Sequence, residues 1–117
     1  MPGILVAEDN RALRESVRLI LEQRGFDVTA CSLAGEALEA CREQQVDLAV
    51  VDVSLPDQSG FDLVRQMRED GFLGPVIICS GLPQLAEAIA GCGAEQFLGK
   101  PYLAEELIEM IQRLLLP

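Results

Sequence analysis

Val46, Leu48, Ala49, Val50 and Val51 make a nearly continuous apolar run that breaks off at Asp52. A strand with one wet face alternates apolar and polar residues. A run without alternation belongs to a strand covered on both faces, as in the middle of a parallel sheet. The pattern recurs at Ile4, Leu5, Val6 and Ala7 and at Val76, Ile77, Ile78 and Cys79, and shorter runs at 28–31 and 96–99 bring the number of candidate strands to five.

Helical spacing fills the intervals between them. Leu13, Val17, Ile20 and Leu21 share one face before Gly25. Ser32 is positioned to cap a helix that carries Ala34, Ala37, Leu38 and Cys41 inward, and Ser59 with Asp62 forms a capping pair ahead of Val64 and Met67. Gly71 and Gly74 close that helix, a fourth is predicted at about 83–90 before Gly91 and Gly93, and the last at 102–116. Its Leu103, Leu107, Met110, Ile111 and Leu114 point to the core, with Glu105, Glu106, Glu109 and Arg113 facing water.

No hairpin signal separates any two strands, so right-handed crossovers and an α/β, doubly wound five-stranded parallel sheet follow, flavodoxin-like, with order 2-1-3-4-5. The 117 residues suit a single domain, 1–117, with no room for a second. In this order the first and third strands lie side by side, and their carboxyl ends form the switch point where ligands bind.

Charge and composition narrow the function. Nineteen acidic against nine basic residues give a net charge of −10, which opposes direct binding to nucleic acid or to an anionic membrane. No apolar stretch approaches the roughly 20 residues of a membrane span and no secretory leader is present, so a cytoplasmic location is expected. Cys31, Cys41, Cys79 and Cys92 lack metal-ligand spacing, and the chain has no histidine to complete a site. They read as reduced, core-filling thiols.

The strand order brings Glu8 and Asp9, after the first strand, to Asp52 at the end of the third. Three carboxylates in one cleft repel one another by roughly 4 kcal/mol per close pair at an effective dielectric near 20. A divalent cation is the natural compensation, and an all-oxygen donor set with room for water favours magnesium. Lys100, ending the fifth strand, offers an ammonium to a phosphoryl oxygen or, without one, to a carboxylate. Ser80, ending the fourth, offers a hydroxyl to the same group.

Four fragments stand in order: Glu8-Asp9-Asn10, then Asp52 with Leu55-Pro56 and Gly60, then Ser80-Gly81, then Phe97-Leu98-Gly99-Lys100-Pro101. Together they resemble the receiver domains of response regulators over essentially the whole chain. The resemblance implies a phosphoryl-accepting nucleophile at Asp52 and a Mg2+ site made by Asp9, Asp52 and the backbone carbonyl of Ser54, with Glu8 acting mainly through water. It implies further that Ser80 and Lys100 hold the phosphoryl oxygens, that Ser80 and Phe97 form a conformational switch, and that Pro101 follows a cis peptide bond. Ser80 and Phe97 depart from the Thr and Tyr common at those positions, which points to looser coupling between them.

By the same resemblance the donor is a histidine kinase or histidine phosphotransfer protein in a two-component system or phosphorelay. The signal then passes to a protein target or to an output domain absent from this chain, with a phosphorylation-dependent homodimer as a further partner. Such a domain catalyses its own phosphorylation and dephosphorylation without being a turnover enzyme. Two alternatives stand beside it. An aspartate-nucleophile phosphatase needs a second acid two residues after the nucleophile, where this chain has Ser54. A pseudo-receiver, an interaction module that has lost phosphotransfer, is disfavoured by the intact set of Asp9, Asp52, Ser80 and Lys100.

Overall fold

The computed structural model describes residues 1–82 and 87–116. Strands β1 (Gly3–Ala7), β2 (Asp27–Cys31), β3 (Leu48–Asp52), β4 (Val76–Ser80) and β5 (Gln96–Gly99) alternate with helices α1 (Arg11–Gln23), α2 (Ala34–Glu43), α3 (Gly60–Glu69), α4 (Ile89–Cys92) and α5 (Ala104–Leu114). Every strand pairing is parallel and the order is β2-β1-β3-β4-β5, as the sequence predicts.

The period of two in each strand divides the core into two layers. Ile4, Val6, Leu48, Val50 and Ile77 turn toward α1 and α5, where Val17, Leu21, Leu107, Ile108 and Ile111 meet them. Leu5, Ala7, Ala49, Val51 and Ile78 turn the other way, onto Ala37 and Leu38 of α2 and Leu63, Val64 and Met67 of α3. Burial of both faces explains the unbroken apolar runs, each large side chain contributing about 1.5–3 kcal/mol. All four cysteines are free thiols, and burial pushes those of Cys31 and Cys79 up to about 12.

Several boundaries differ from the sequence reading. The third strand starts at Leu48, because Asp47 is an anchor: its N–H donates to the Gly3 carbonyl at 2.8 Å and its carboxylate accepts the Gly3 N–H at 2.7 Å. Ser32 does not cap α2. The N-cap position is Leu33, and the free N–H groups of Ala34 and Gly35 donate to the Asp57 carboxylate at 2.8 and 2.9 Å. Ser59 does cap α3, accepting from the Phe61 N–H at 3.1 Å, but Asp62 turns to Arg65 instead of back to the cap.

Of the helix predicted at about 83–90, residues 83–86 lie outside the described residues. The described α4 runs later, to Cys92, and is closed by Gly93 at φ 94°, a left-handed conformation that favours glycine. The last helix starts at Ala104, with Leu103 extended at its N-cap and the Glu106 carboxylate accepting the Leu103 N–H at 2.9 Å. Leu103 is therefore 70% exposed and leaves the core to Leu107, Ile108 and Ile111.

Candidate functional site

Parallel register delivers the polar residues to one rim. Ala7 pairs with Val51, Asp52 with Cys79 and Ser80 with Gly99, so Glu8, Asp52, Ser80 and Lys100 stand at the carboxyl ends of four adjacent strands. Gly60 shapes the turn beneath. A Cβ there would collide with the carbonyl oxygen of Asp52, and the Gly60 N–H donates to the Val53 carbonyl at 2.8 Å. Ser54 lies on the rim side of this turn, exposed, bridged to Ser59.

The Lys100 ammonium joins the two acids, donating to Glu8 Oε1 at 2.7 Å and to Asp52 Oδ2 at 2.9 Å. Both carboxylates are nearly inaccessible, Glu8 at 5% and Asp52 at 6% exposure. The remaining oxygens are also engaged: Glu8 Oε2 accepts the Asn10 N–H at 3.0 Å, and Asp52 Oδ1 accepts the Ser54 N–H at 3.2 Å. Ser80 is buried, and its hydroxyl oxygen accepts the Leu82 N–H at 3.0 Å, a bond that uses a lone pair and not the proton.

Burial raises the Glu8 carboxyl above the usual glutamate range; the bond from Lys100 and the Asn10 N–H oppose the rise without cancelling it. Burial works against the Lys100 ammonium too, but its bonds to Glu8 and Asp52 outweigh that and hold it above the ordinary lysine value. The Tyr102 phenol beside the cleft is pushed up, chiefly by burial. The Lys100–Pro101 peptide bond is cis. Phe97 is half-buried against the core layer on the α3 side.

Asp9 is exposed at the rim, and among the described residues no three acid, thiol or imidazole side chains stand close enough to hold a metal ion as they lie. The Lys100 ammonium sits where the Glu8 and Asp52 carboxylates converge. One ammonium against two buried carboxylates leaves negative charge uncompensated, and the donors are all oxygen. A hard divalent cation fits this set.

Two contributors carry no signal in the sequence. Asp57, in the turn that follows Asp52, reaches across to α2, and those backbone bonds hold its carboxyl below the usual range. Arg14 donates to the carbonyls of Glu8 and Asp9. Both act on backbone groups, Asp57 on those of a distant helix and Arg14 on those of the adjoining loop, and neither is distinguishable by spacing from an ordinary surface charge.

The doubly wound α/β domain thus carries two buried acids, a hydroxyl and an ammonium at its switch point. The profile of the response regulator receiver domain matches residues 4–112, and the chain belongs to that family. The response regulator MprA of Mycobacterium leprae is 36% identical over 114 residues, covering 96% of this chain and 50% of that protein. The chain spans about half the length of the curated relatives it matches. A CheY-like receiver domain protein from Methanospirillum hungatei superimposes with a TM-score of 0.91 at 27% identity, covering 97% of this chain and 92% of that one. The Francisella response regulator 1452 receiver domain gives 0.91 at 28%, covering 97% and 96%. Among the described residues no helix is long and apolar enough to cross a membrane.

Proposed function

We propose that the chain is a single phospho-acceptor unit in which Asp52 takes a phosphoryl group from a phosphohistidine on a histidine kinase or histidine phosphotransfer protein. The observation that carries this reading is the buried Glu8–Lys100–Asp52 contact at 2.7 and 2.9 Å, which sets an acceptor carboxylate beside a cation able to exchange it for phosphoryl oxygens. An Asp52 oxygen forms the bond to phosphorus while the bond from phosphorus to the imidazole nitrogen breaks, its electron pair staying on the imidazole.

Asp9, Asp52 and the Ser54 carbonyl would hold a magnesium ion, with Glu8 reached through water. When bound, the ion supplies charge neutralisation to the carboxylates and to the incoming phosphoryl oxygens. Lys100 turns from carboxylate to phosphoryl oxygen, and the Ser80 hydroxyl donates a hydrogen bond to another. The pull on Ser80 opens space into which Phe97 moves, and the altered surface is read by a protein target or an output domain. A cytoplasmic site of action belongs to the same reading, and the −10 charge opposes direct binding to nucleic acid.

Radiolabelled phosphohistidine on a panel of histidine kinases is the direct test. The label should move to the wild-type chain from at least one kinase and never to Asp52→Asn; a wild type that accepts from none, and from no small phosphodonor, is a pseudo-receiver.

A further inference from the structure

Arg14, in the opening turns of α1, is half-buried and spends its guanidinium on backbone. Its Nη1 donates to the Glu8 carbonyl at 3.0 Å and to the Asp9 carbonyl at 3.3 Å. The contrast with its neighbour is informative. Arg18, one turn on, pairs with Glu15 at 2.7 Å and Glu22 at 3.0 Å. Arg14 makes no side-chain ion pair with any described residue, although the chain holds nineteen acidic residues.

Its location also runs against the helix dipole. The first turn of α1 contains Arg11 and no acid, where the positive helix end favours carboxylates. The dipole disfavours a cation there only mildly, and the carbonyls of the adjoining loop give the Arg14 guanidinium its acceptors. That loop is short and fixed on its other sides: the Glu8 N–H donates to the Cys31 carbonyl at 3.0 Å, and Asn10 caps α1 by accepting the Leu13 N–H at 3.0 Å. Arg14 supplies the restraint on the two peptide carbonyls between these anchors.

We propose that Arg14 is a positioning residue for the cation site: by holding the carbonyls of Glu8 and Asp9 it keeps the Glu8 carboxylate turned inward to Lys100 and the Asp9 carboxylate out at the rim. The inference rests on the reading of this cleft as a magnesium site. It concerns how the site is built, since Arg14 touches neither the metal nor the phosphoryl group.

Charge and geometry predict opposite signs. A guanidinium acting through its charge repels an incoming cation, so its removal should tighten magnesium binding. A guanidinium acting through geometry strengthens binding, and its removal should weaken it by about tenfold, at the lower end of the 10–100-fold range for groups that orient metal ligands. Lysine at this position keeps the charge and loses the planar fork, so it should weaken binding as well.

The experiment is calorimetric titration of magnesium chloride into the wild type, Arg14→Met and Arg14→Lys, with hydrogen exchange at the Asn10 amide in metal-free samples. The amide reports the loop directly, because its acceptor is the Glu8 carboxylate. Both variants should bind magnesium more weakly, Arg14→Met by about tenfold, and exchange the Asn10 amide faster while unfolding cooperatively. Unchanged or tighter magnesium binding in Arg14→Met, or in Arg14→Lys should Arg14→Met not fold, overturns the proposal and leaves the magnesium reading intact. A wild type that binds no magnesium overturns the magnesium reading, and this inference with it.

Discussion

With Lys100 between them, Glu8 and Asp52 set one ammonium against two carboxylates that are almost wholly buried. Like charges about 4 Å apart repel by roughly 4 kcal/mol at an effective dielectric near 20, so the metal-free cleft is held at a cost to stability. Asp52→Asn keeps the shape and removes one charge. It should raise the metal-free melting temperature by about 4 °C, equivalent to about 1 kcal/mol for a domain of this size; a lower temperature would show that Lys100 already compensates both acids. Glu8, Asp52, Ser80 and Lys100 were legible in the sequence because each ends an apolar run, and strand order alone carries them to one rim. Arg14 and Asp57 were not, because their partners are backbone groups, which leave no periodic trace.

At the scale of elements, α2 begins on a carboxylate borrowed from the turn that carries Asp52. Sequence spacing nominated Ser32 because it precedes the helix, but a cap supplied from 22 or 23 residues away cannot be read locally. Asp57→Ala should lower the melting temperature at neutral pH. The Asp57 carboxyl is held below the usual range, so its contribution is present above the ordinary aspartate value and lost as pH falls through the folded value. The gap between wild type and variant should therefore close in strong acid, and a gap independent of pH would mean that the carboxylate charge is not involved. Gly60 ties the same turn to β3. Gly60→Ala places a methyl group against the Asp52 carbonyl and should destabilise by about 1–3 kcal/mol in chemical denaturation. The start of α5 differs for a related reason: helical spacing begins at Tyr102, whereas the Glu106 carboxylate, accepting the Leu103 N–H, fixes Leu103 as the N-cap and begins the helix two residues later, at Ala104.

For the whole molecule, strand order and the two-layer core were the most legible features, since both-face burial dictates the apolar runs and the absence of hairpins dictates the crossovers. The same order concentrates negative charge at one end of an already acidic chain. A ligand that binds only the folded state stabilises it by mass action, so magnesium at about 100 times its Kd should add about 2.7 kcal/mol, read as a rise in melting temperature that excess of a magnesium-binding chelator abolishes. Equal melting curves with and without magnesium would count against the acid cleft. The central claim is that Asp52 is the phosphoryl acceptor, and intact-mass spectrometry after incubation with acetyl phosphate tests it most directly. The account predicts a gain of one phosphoryl group in the wild type, dependent on magnesium and absent in Asp52→Asn; a gain of the same size in Asp52→Asn, or none in the wild type with magnesium present, would contradict it.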